Sequence, residues 1–276
     1  MQVINTYPQI QQYFLSGQFD IYTWRNYANE ISPQLAFLCE NDSADYHFDK
    51  QVLPILNAAL NDKQKMHITN ESFICVTNQL SNNISRLFDK EIELDIILYL
   101  GLCNGAGWAT SLDNKNVILL GIEKIIELNW CDEKSMRSLI FHEIGHIWHN
   151  AYGKILSYTT PKERQIQQLY QEGVAMVCEQ ILSRDDMHFH QDKNGWLAWC
   201  QKHEQELKKE YLNRIHALQS TQDFFGDWCK FQGYSDTGYY LGCQFIKYLE
   251  KKYTLVQIAN LPSDVLLREF EIFAKA

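Results

Sequence analysis

The stretch DEKSMRSLIFHEIGHIWHN at 132–150 constrains the fold more than any other, because its apolar residues recur with the period of an α-helix. The apolar stripe consists of Met136, Leu139, Ile140, Ile144 and Ile147. Asp132 can cap the first turn, and Glu133 sits favourably beside the positive end of the helix dipole. We therefore expect a helix that begins at Asp132 and buries one side.

This helix also carries three histidines and a glutamate within eight residues. His142 and His146 are four residues apart, so their imidazoles lie on one face and can bind one tetrahedral zinc ion. Glu143 is rotated to a position beside the metal, where its carboxylate can accept a proton from water. The spacing is the H-E-x-x-H arrangement of zinc peptidases. His149 lies about 10 Å from His142 along the axis, too far to share one ion, and we expect it to be a neighbour or a surface residue.

A third ligand has to come from another element. A second helix is predicted from about Glu163 to Leu182, after a loop at 153–164. On this helix Glu172 is followed by the small residues Gly173 and Ala175, which would let the two helices approach closely. Glu179 lies two turns further along on a similar face. We favour Glu172 as the ligand and keep Glu179 as its rival.

Two short apolar segments precede the helix and predict a small sheet. Residues 93–102 read as a buried strand. Residues 104–112 and 116–122 read as a hairpin around a polar turn at 113–116. An extended peptide or protein substrate could add along the edge of this 104–122 hairpin. Gly105 and Gly107 would allow close approach and unusual backbone angles there, or else make only a turn. Trp108 could line a pocket or belong to the core.

The rest of the chain reads as mainly helical, so the fold class is α+β. Predicted helical segments are 7–15, 19–39, 52–60, 195–218, 237–252 and 262–275, with 70–89 ambiguous and 1–70 mainly helical. His188 and His190 read as part of a solvated loop. The sequence contains no low-complexity linker, and we predict a single catalytic unit over residues 1–276. Its parts are an N-terminal helical part at 1–92, a sheet with zinc-binding helices at 93–182, and a C-terminal helical part at 183–276.

Charge and cysteine usage restrict the function classes. The formal net charge of -9 argues against a nucleic-acid partner, which would favour a basic patch. No apolar run approaches the length of a membrane span, and no signal peptide is recognisable, so neither a membrane partner nor secretion is expected. The eight cysteines are evenly spread without a C-x-x-C pair, which indicates reduced core thiols and a cytoplasmic protein.

The combination of His142-Glu143-x-x-His146 with a downstream E-G-x-A at 172–175 resembles the gluzincin superfamily of zinc metallopeptidases. The chain is more similar still to bacterial predicted zinc-dependent proteases that add a G-Y-x-x-G, present here at 238–242. The resemblance covers about 95–250 and implies a zincin-like fold with the small sheet beside the active-site helix. It also implies that Tyr239 donates a hydrogen bond to the oxyanion, with Tyr240 as the runner-up.

These observations predict a zinc-dependent hydrolase of peptide or related amide bonds, with Glu143 as general base. Two other classes stay open. One is a catalytically inactive zincin-like binding protein with a structural or vestigial zinc site. The other is a cysteine hydrolase, although Cys178 lies in an apolar run and reads as buried and inert.

Overall fold

The structure is a computed structural model that describes residues 1–80, 84, 87–89, 92–154, 160–226 and 229–276. It is an α+β protein in which helices dominate and one four-stranded sheet accompanies them. The predicted fold class is confirmed. Backbone contacts divide the chain into two compact units, Met1–Glu143 and Ile144–Ala276. The boundary falls inside one continuous helix, and each unit is described by itself.

The sheet belongs to the first unit and is mixed. Its strands are β1 (Gln2–Asn5), β2 (Leu94–Tyr99), β3 (Gly107–Leu112) and β4 (Lys115–Gly121). Their order is β1-β2-β4-β3, with β1, β2 and β4 parallel and β3 antiparallel to β4. Strands β2 and β4 are therefore central, while β1 and β3 form the edges.

The central strands are buried because they are apolar along almost their whole length, as expected for parallel strands covered on both faces. The two strand predictions at 93–102 and 116–122 are confirmed. The expectation that 1–70 is mainly helical missed β1. Its sequence QVIN is short and mostly exposed, so only its pairing with β2 identifies it as a strand.

The predicted hairpin is confirmed as β3 and β4 joined by Asp113 and Asn114. Both residues have positive φ angles, 51° and 62°, which is the requirement of a two-residue type I′ turn. The turn places Leu112 opposite Lys115 and fixes the register of the whole hairpin.

The helices of the first unit cover the predicted segments 7–15, 19–39 and 52–60 with one break, and two further helices, Lys63–Asn78 and Ile122–Glu127, match none of these segments. The helices are α1 (Tyr7–Tyr13), α2 (Ile21–Ile31), α3 (Leu35–Asp42), a π-helical turn (Phe48–Val52), α4 (Leu53–Asn61), α5 (Lys63–Asn78) and α6 (Ile122–Glu127). The segment predicted at 19–39 divides at Ser32, which is extended because Pro33 follows it. The ambiguous segment 70–89 is helical as far as Asn78, and its residues 81–83, 85 and 86 lie outside the described residues.

Two long helices carry most of the candidate site residues, α7 (Glu133–Tyr152) and α8 (Pro161–Ser183). Asp132 caps α7 as predicted, since its Oδ1 accepts the Ser135 N–H at 3.0 Å. Helix α8 begins with a capping box formed by Thr160 and Glu163. The predicted loop at 153–164 therefore ends earlier than expected, and its residues 155–159 lie outside the described residues.

The second unit continues with shorter helices. They are α9 (Trp196–Lys202), α10 (Glu204–Ala217), a 3₁₀ turn (Gln222–Phe224), α11 (Thr237–Leu249), α12 (Leu255–Ile258) and α13 (Ser263–Phe273). The segment predicted at 195–218 is two helices divided at His203, whereas those at 237–252 and 262–275 are confirmed. Within the described part of the chain, none of the helices combines the length and apolar character that spanning a bilayer requires.

Candidate metal centre

Two histidines of α7 and a glutamate of α8 offer ligand atoms close together. His142, His146 and Glu172 each contribute one such atom, and these atoms lie within 4.8 Å of one another. His146 Nε2 is 3.4 Å from Glu172 Oε2. Two ligand atoms about 2 Å from one tetrahedral zinc ion lie roughly 3.3 Å apart, so this pair is spaced for a shared ion. Imidazole nitrogen and carboxylate oxygen are also donors that zinc accepts, and the three residues fit the ion.

Close backbone contact sets the separation of α7 and α8 beside this pair. A Cβ at Gly145 would lie 2.7 Å from Ala175 Cα and 2.8 Å from its carbonyl oxygen, so only glycine fits there. Ala175 thus lets α7 and α8 approach closely, as predicted. Gly173 does not, because its Cα faces Gly242 of α11, whose carbonyl oxygen would lie 2.4 Å from an added Cβ. The glycine of E-G-x-A therefore packs against the last glycine of G-Y-x-x-G.

Glu143 is held by the edge strand of the sheet. Its Oε2 accepts a hydrogen bond from the Ala109 N–H of β3 at 2.8 Å. A Cβ at Gly107 would lie 2.5 Å from Glu143 Oε1, so the absence of a side chain at 107 makes room for the carboxylate. Both contacts lie within the first unit, and they fix the carboxylate beside the histidine face of α7.

Strand β3 presents alternate backbone groups to its open edge. Leu112 flanks the two-residue turn, so it forms a hydrogen-bonded pair with β4, and every second residue before it does the same. The Gly121 N–H bond to the Ala106 carbonyl, at 3.0 Å, continues this alternation. The N–H and C=O groups of the intervening residues, Gly107, Ala109 and Ser111, therefore point outward.

The structure also decides the alternatives for the hairpin side chains. Gly105 and Gly107 have no positive φ, so the expectation of unusual backbone angles there is wrong. Close approach of a substrate to these glycines stays a prediction, and the neighbour that leaves no room for a Cβ at Gly107 is Glu143. Trp108 is half-buried and so does not belong to the core.

Glu179, the rival ligand, binds two histidines of its own unit. Its Oε2 is 2.9 Å from His190 Nδ1 and its Oε1 is 3.2 Å from His188 Nε2, and the carboxylate is fully buried. The expectation of a solvated loop at 188–190 is therefore wrong, because the His190 side chain is only 8% exposed.

The two candidate tyrosines of α11 have different surroundings. Tyr240 is buried, and its hydroxyl donates to Glu204 Oε2 at 2.6 Å. Tyr239 is half-buried, and its ring makes edge contacts with His190 at 6.2 Å and Phe225 at 5.7 Å between centroids. The proton of Tyr240 is thus engaged elsewhere, whereas Tyr239 lies against the histidine bound by Glu179.

His149 lies near the centre but has a structural setting. Tyr170 donates its hydroxyl proton to the Ile258 carbonyl at 2.8 Å, so this hydroxyl accepts the hydrogen bond from His149 Nε2 at 3.0 Å. Burial lowers the pKa of His149 to about 4, which keeps the ring neutral at pH 7. The residue is a buried neighbour, and the surface alternative is wrong.

No protein-family model, no curated protein and no solved structure matches this chain.

Proposed function

We propose that this chain is a zinc-dependent hydrolase of peptide or related amide bonds, as in gluzincin-like metallopeptidases, and that it works in the cytoplasm. The observation that carries the proposal is the convergence of His142, His146 and Glu172 on one position, with Glu143 fixed beside it by an edge strand. A purely structural zinc site usually has four protein ligands and needs no adjacent base.

His142, His146 and Glu172 would hold the zinc ion, and three protein ligands are the number typical of catalytic zinc sites. Bound zinc supplies Lewis acidity, since it lowers the pKa of water toward neutrality and polarises a carbonyl oxygen. Glu143 accepts the proton of the attacking water as the new carbon–oxygen bond forms. When the carbon–nitrogen bond breaks, Glu143 returns that proton to the leaving amine. The Ala109 N–H keeps the carboxylate oriented during both transfers.

Negative charge on the substrate oxygen needs a hydrogen-bond donor as well. We assign this role to Tyr239 and not to Tyr240, because the Tyr240 hydroxyl already donates to Glu204. Tyr239 is half-buried and lies against His190, which contacts the buried Glu179.

The proposed substrate is an extended peptide segment. Gly107 and Ser111 direct their N–H and C=O groups away from β4, and Ala109 directs its C=O there while its N–H binds Glu143, so a peptide can add to β3 as a further strand. The main-chain hydrogen bonds would supply affinity without selecting a sequence. They would also bring a scissile carbonyl next to the strand that holds Glu143.

The proposal is tested by metal analysis together with a Glu143→Gln variant. We expect about one zinc ion per chain in both proteins, and loss of most of the hydrolysis of an unstructured peptide mixture in the variant, since general-base catalysis contributes about 10²- to 10⁴-fold. Glu133→Gln is the matched control, because Glu133 lies on the same helix and is exposed to solvent.

Each alternative class gives a different result. Zinc without hydrolysis in the unaltered chain would support an inactive binding protein. Hydrolysis that needs no metal and survives in Glu143→Gln would indicate other chemistry. A cysteine nucleophile at Cys178 is disfavoured, because burial raises the pKa of this thiol well above its usual value.

A further inference from the structure

A fully buried carboxylate that the proposed reaction does not use lies in the first unit. Glu123 is in the short helix α6, directly after β4, and is 0% exposed. Its Oε2 accepts the Gly101 N–H at 2.9 Å, and its Oε1 accepts the Cys103 N–H at 3.1 Å. Both oxygens therefore bind backbone groups of one segment, residues 100–106, which connects β2 to β3.

Other side chains hold the beginning of this segment. Trp24 Nε1 donates to the Leu100 carbonyl at 2.9 Å, and the Leu100 N–H donates to the Tyr27 hydroxyl at 2.9 Å. Glu123 holds the next residues, and the Gly121 N–H bond to Ala106 closes the segment. A Cβ at Gly101 would lie only 2.6 Å from Glu123 Oε1, so the carboxylate and the segment are in direct contact.

The segment ends where the strand beside Glu143 begins. Gly107 follows it directly, and two residues later the Ala109 N–H donates to Glu143 Oε2 at 2.8 Å. A shift of the segment would change the position of this N–H, because no flexible linker separates the two. The placement of Glu143 thus depends on the path of residues 100–106.

We infer that Glu123 is a positioning residue, which acts through the segment 100–106 and strand β3 to orient the carboxylate of Glu143. The inference rests on the proposed function for its catalytic meaning. Its structural content concerns only residues of the first unit.

The protonation state of Glu123 should control this arrangement. A carboxylate accepts both N–H groups, whereas a protonated carboxyl presents a donor at one oxygen and leaves one N–H without its acceptor. Burial is the main cause that raises the pKa of Glu123, to about 7. The titratable groups that face it from the surrounding elements are Tyr27 on α2, Cys39 on α3, Tyr99 on β2, Cys103 in the segment and Lys124 on its own helix. The direct hydrogen-bond donors to the carboxylate include the Gly101 and Cys103 N–H groups, and the backbone N–H of Glu123 itself and the charge of Lys124 also lower its pKa.

The test follows the amide signals of Gly101, Cys103 and Ala109 by TROSY NMR between pH 5.5 and 8.5, a window of about 1.5 pH units on either side of neutrality. In the unaltered chain all three should titrate with a common midpoint of about 7. In Glu123→Gln the titration should vanish, and hydrogen exchange at Gly101 or Cys103 should be about 10- to 100-fold faster, the factor for losing one hydrogen bond to a charged acceptor.

The matched control is Glu127→Gln, the same change on the same helix at a residue that pairs only with Lys124 among the contacts described here. It should keep the titration with only a small shift of its midpoint, because Lys124 loses its partner while the Glu123 carboxylate keeps its N–H donors. An Ala109 signal that neither titrates nor changes in Glu123→Gln would overturn the inference, even if Gly101 and Cys103 respond. Glu123→Asp keeps the charge with a shorter reach. Glu123→Asp therefore serves as the test if Glu123→Gln does not fold. It should retain a titration but show an altered Ala109 signal. An unaltered Ala109 signal in Glu123→Asp would again overturn the inference.

The activity measurement separates this inference from the proposed function. If the chain hydrolyses peptides, the pH profile of kcat should lose an ionisation near 7 in Glu123→Gln while the zinc content stays the same. An unchanged kcat profile would reject the catalytic part of the inference and leave the hydrolase proposal intact. If the unaltered chain is inactive, the hydrolase proposal fails, and the Ala109 signal still tests the positioning.

Discussion

Replacing the buried carboxylate of Glu123 should change how the stability of the protein depends on pH. An unperturbed glutamate has a pKa of 4.5, and burial raises the pKa of Glu123 to about 7 in the folded chain. A raised folded-state pKa means that the folded state binds the proton more tightly than the unfolded state. The stability that this proton binding contributes to the folded state is therefore complete below pH 4.5 and is lost as the pH rises through 7.

The size of the effect follows from these two values. A difference of one pH unit between folded and unfolded pKa values corresponds to about 1.4 kcal/mol, so the interval from 4.5 to 7 corresponds to about 3 kcal/mol. The free energy of unfolding of the unaltered chain, minus that of Glu123→Gln, should thus fall by about 3 kcal/mol between pH 4.5 and pH 8. Glu123→Gln also loses a hydrogen bond at every pH. This constant cost shifts the plot of the free-energy difference against pH without changing its shape.

Urea unfolding at half-unit pH steps measures the difference curve. Contributions from other titrating groups, such as His149, are common to both proteins and cancel in the subtraction. Glu127→Gln should give a much flatter curve, because it keeps the buried Glu123 carboxylate and changes only the partner of Lys124. A flat curve for Glu123→Gln as well would show that the carboxylate is not buried as the structure has it, and would refute the reasoning.

Three further outcomes are expected. Zinc affinity, measured by competition with a chelator, should fall far more in Glu172→Gln than in Glu179→Gln, because Glu172 lies 3.4 Å from His146 whereas Glu179 binds His188 and His190. The reverse order would make Glu179 the ligand. Gly145→Val should force α7 away from α8 and lower the free energy of unfolding by about 1–3 kcal/mol, as measured by urea denaturation. An unchanged free energy of unfolding would contradict the close contact between Gly145 and Ala175. Tyr239→Phe should lower kcat more than Tyr240→Phe, and equal effects in steady-state assays would remove the oxyanion assignment.

Local sequence was sufficient for the elements that depend on local physics. The apolar stripe and the Asp132 cap define α7, and the turn at Asp113 and Asn114 defines the hairpin, because helix period and positive-φ turns are encoded by neighbouring residues. Strand β1 could not be found this way. Its four residues carry no strong pattern and become a strand only by pairing with β2.

The candidate site shows the same division. The sequence alone placed His142, Glu143 and His146 on one helix and proposed Glu172 as their partner, because i and i+4 spacing and a return helix follow from chain geometry. Only the tertiary structure showed that Ala109 holds Glu143 and that His188 and His190 surround Glu179. Those contacts join residues distant in sequence, and such pairings depend on how the elements pack and not on any local pattern.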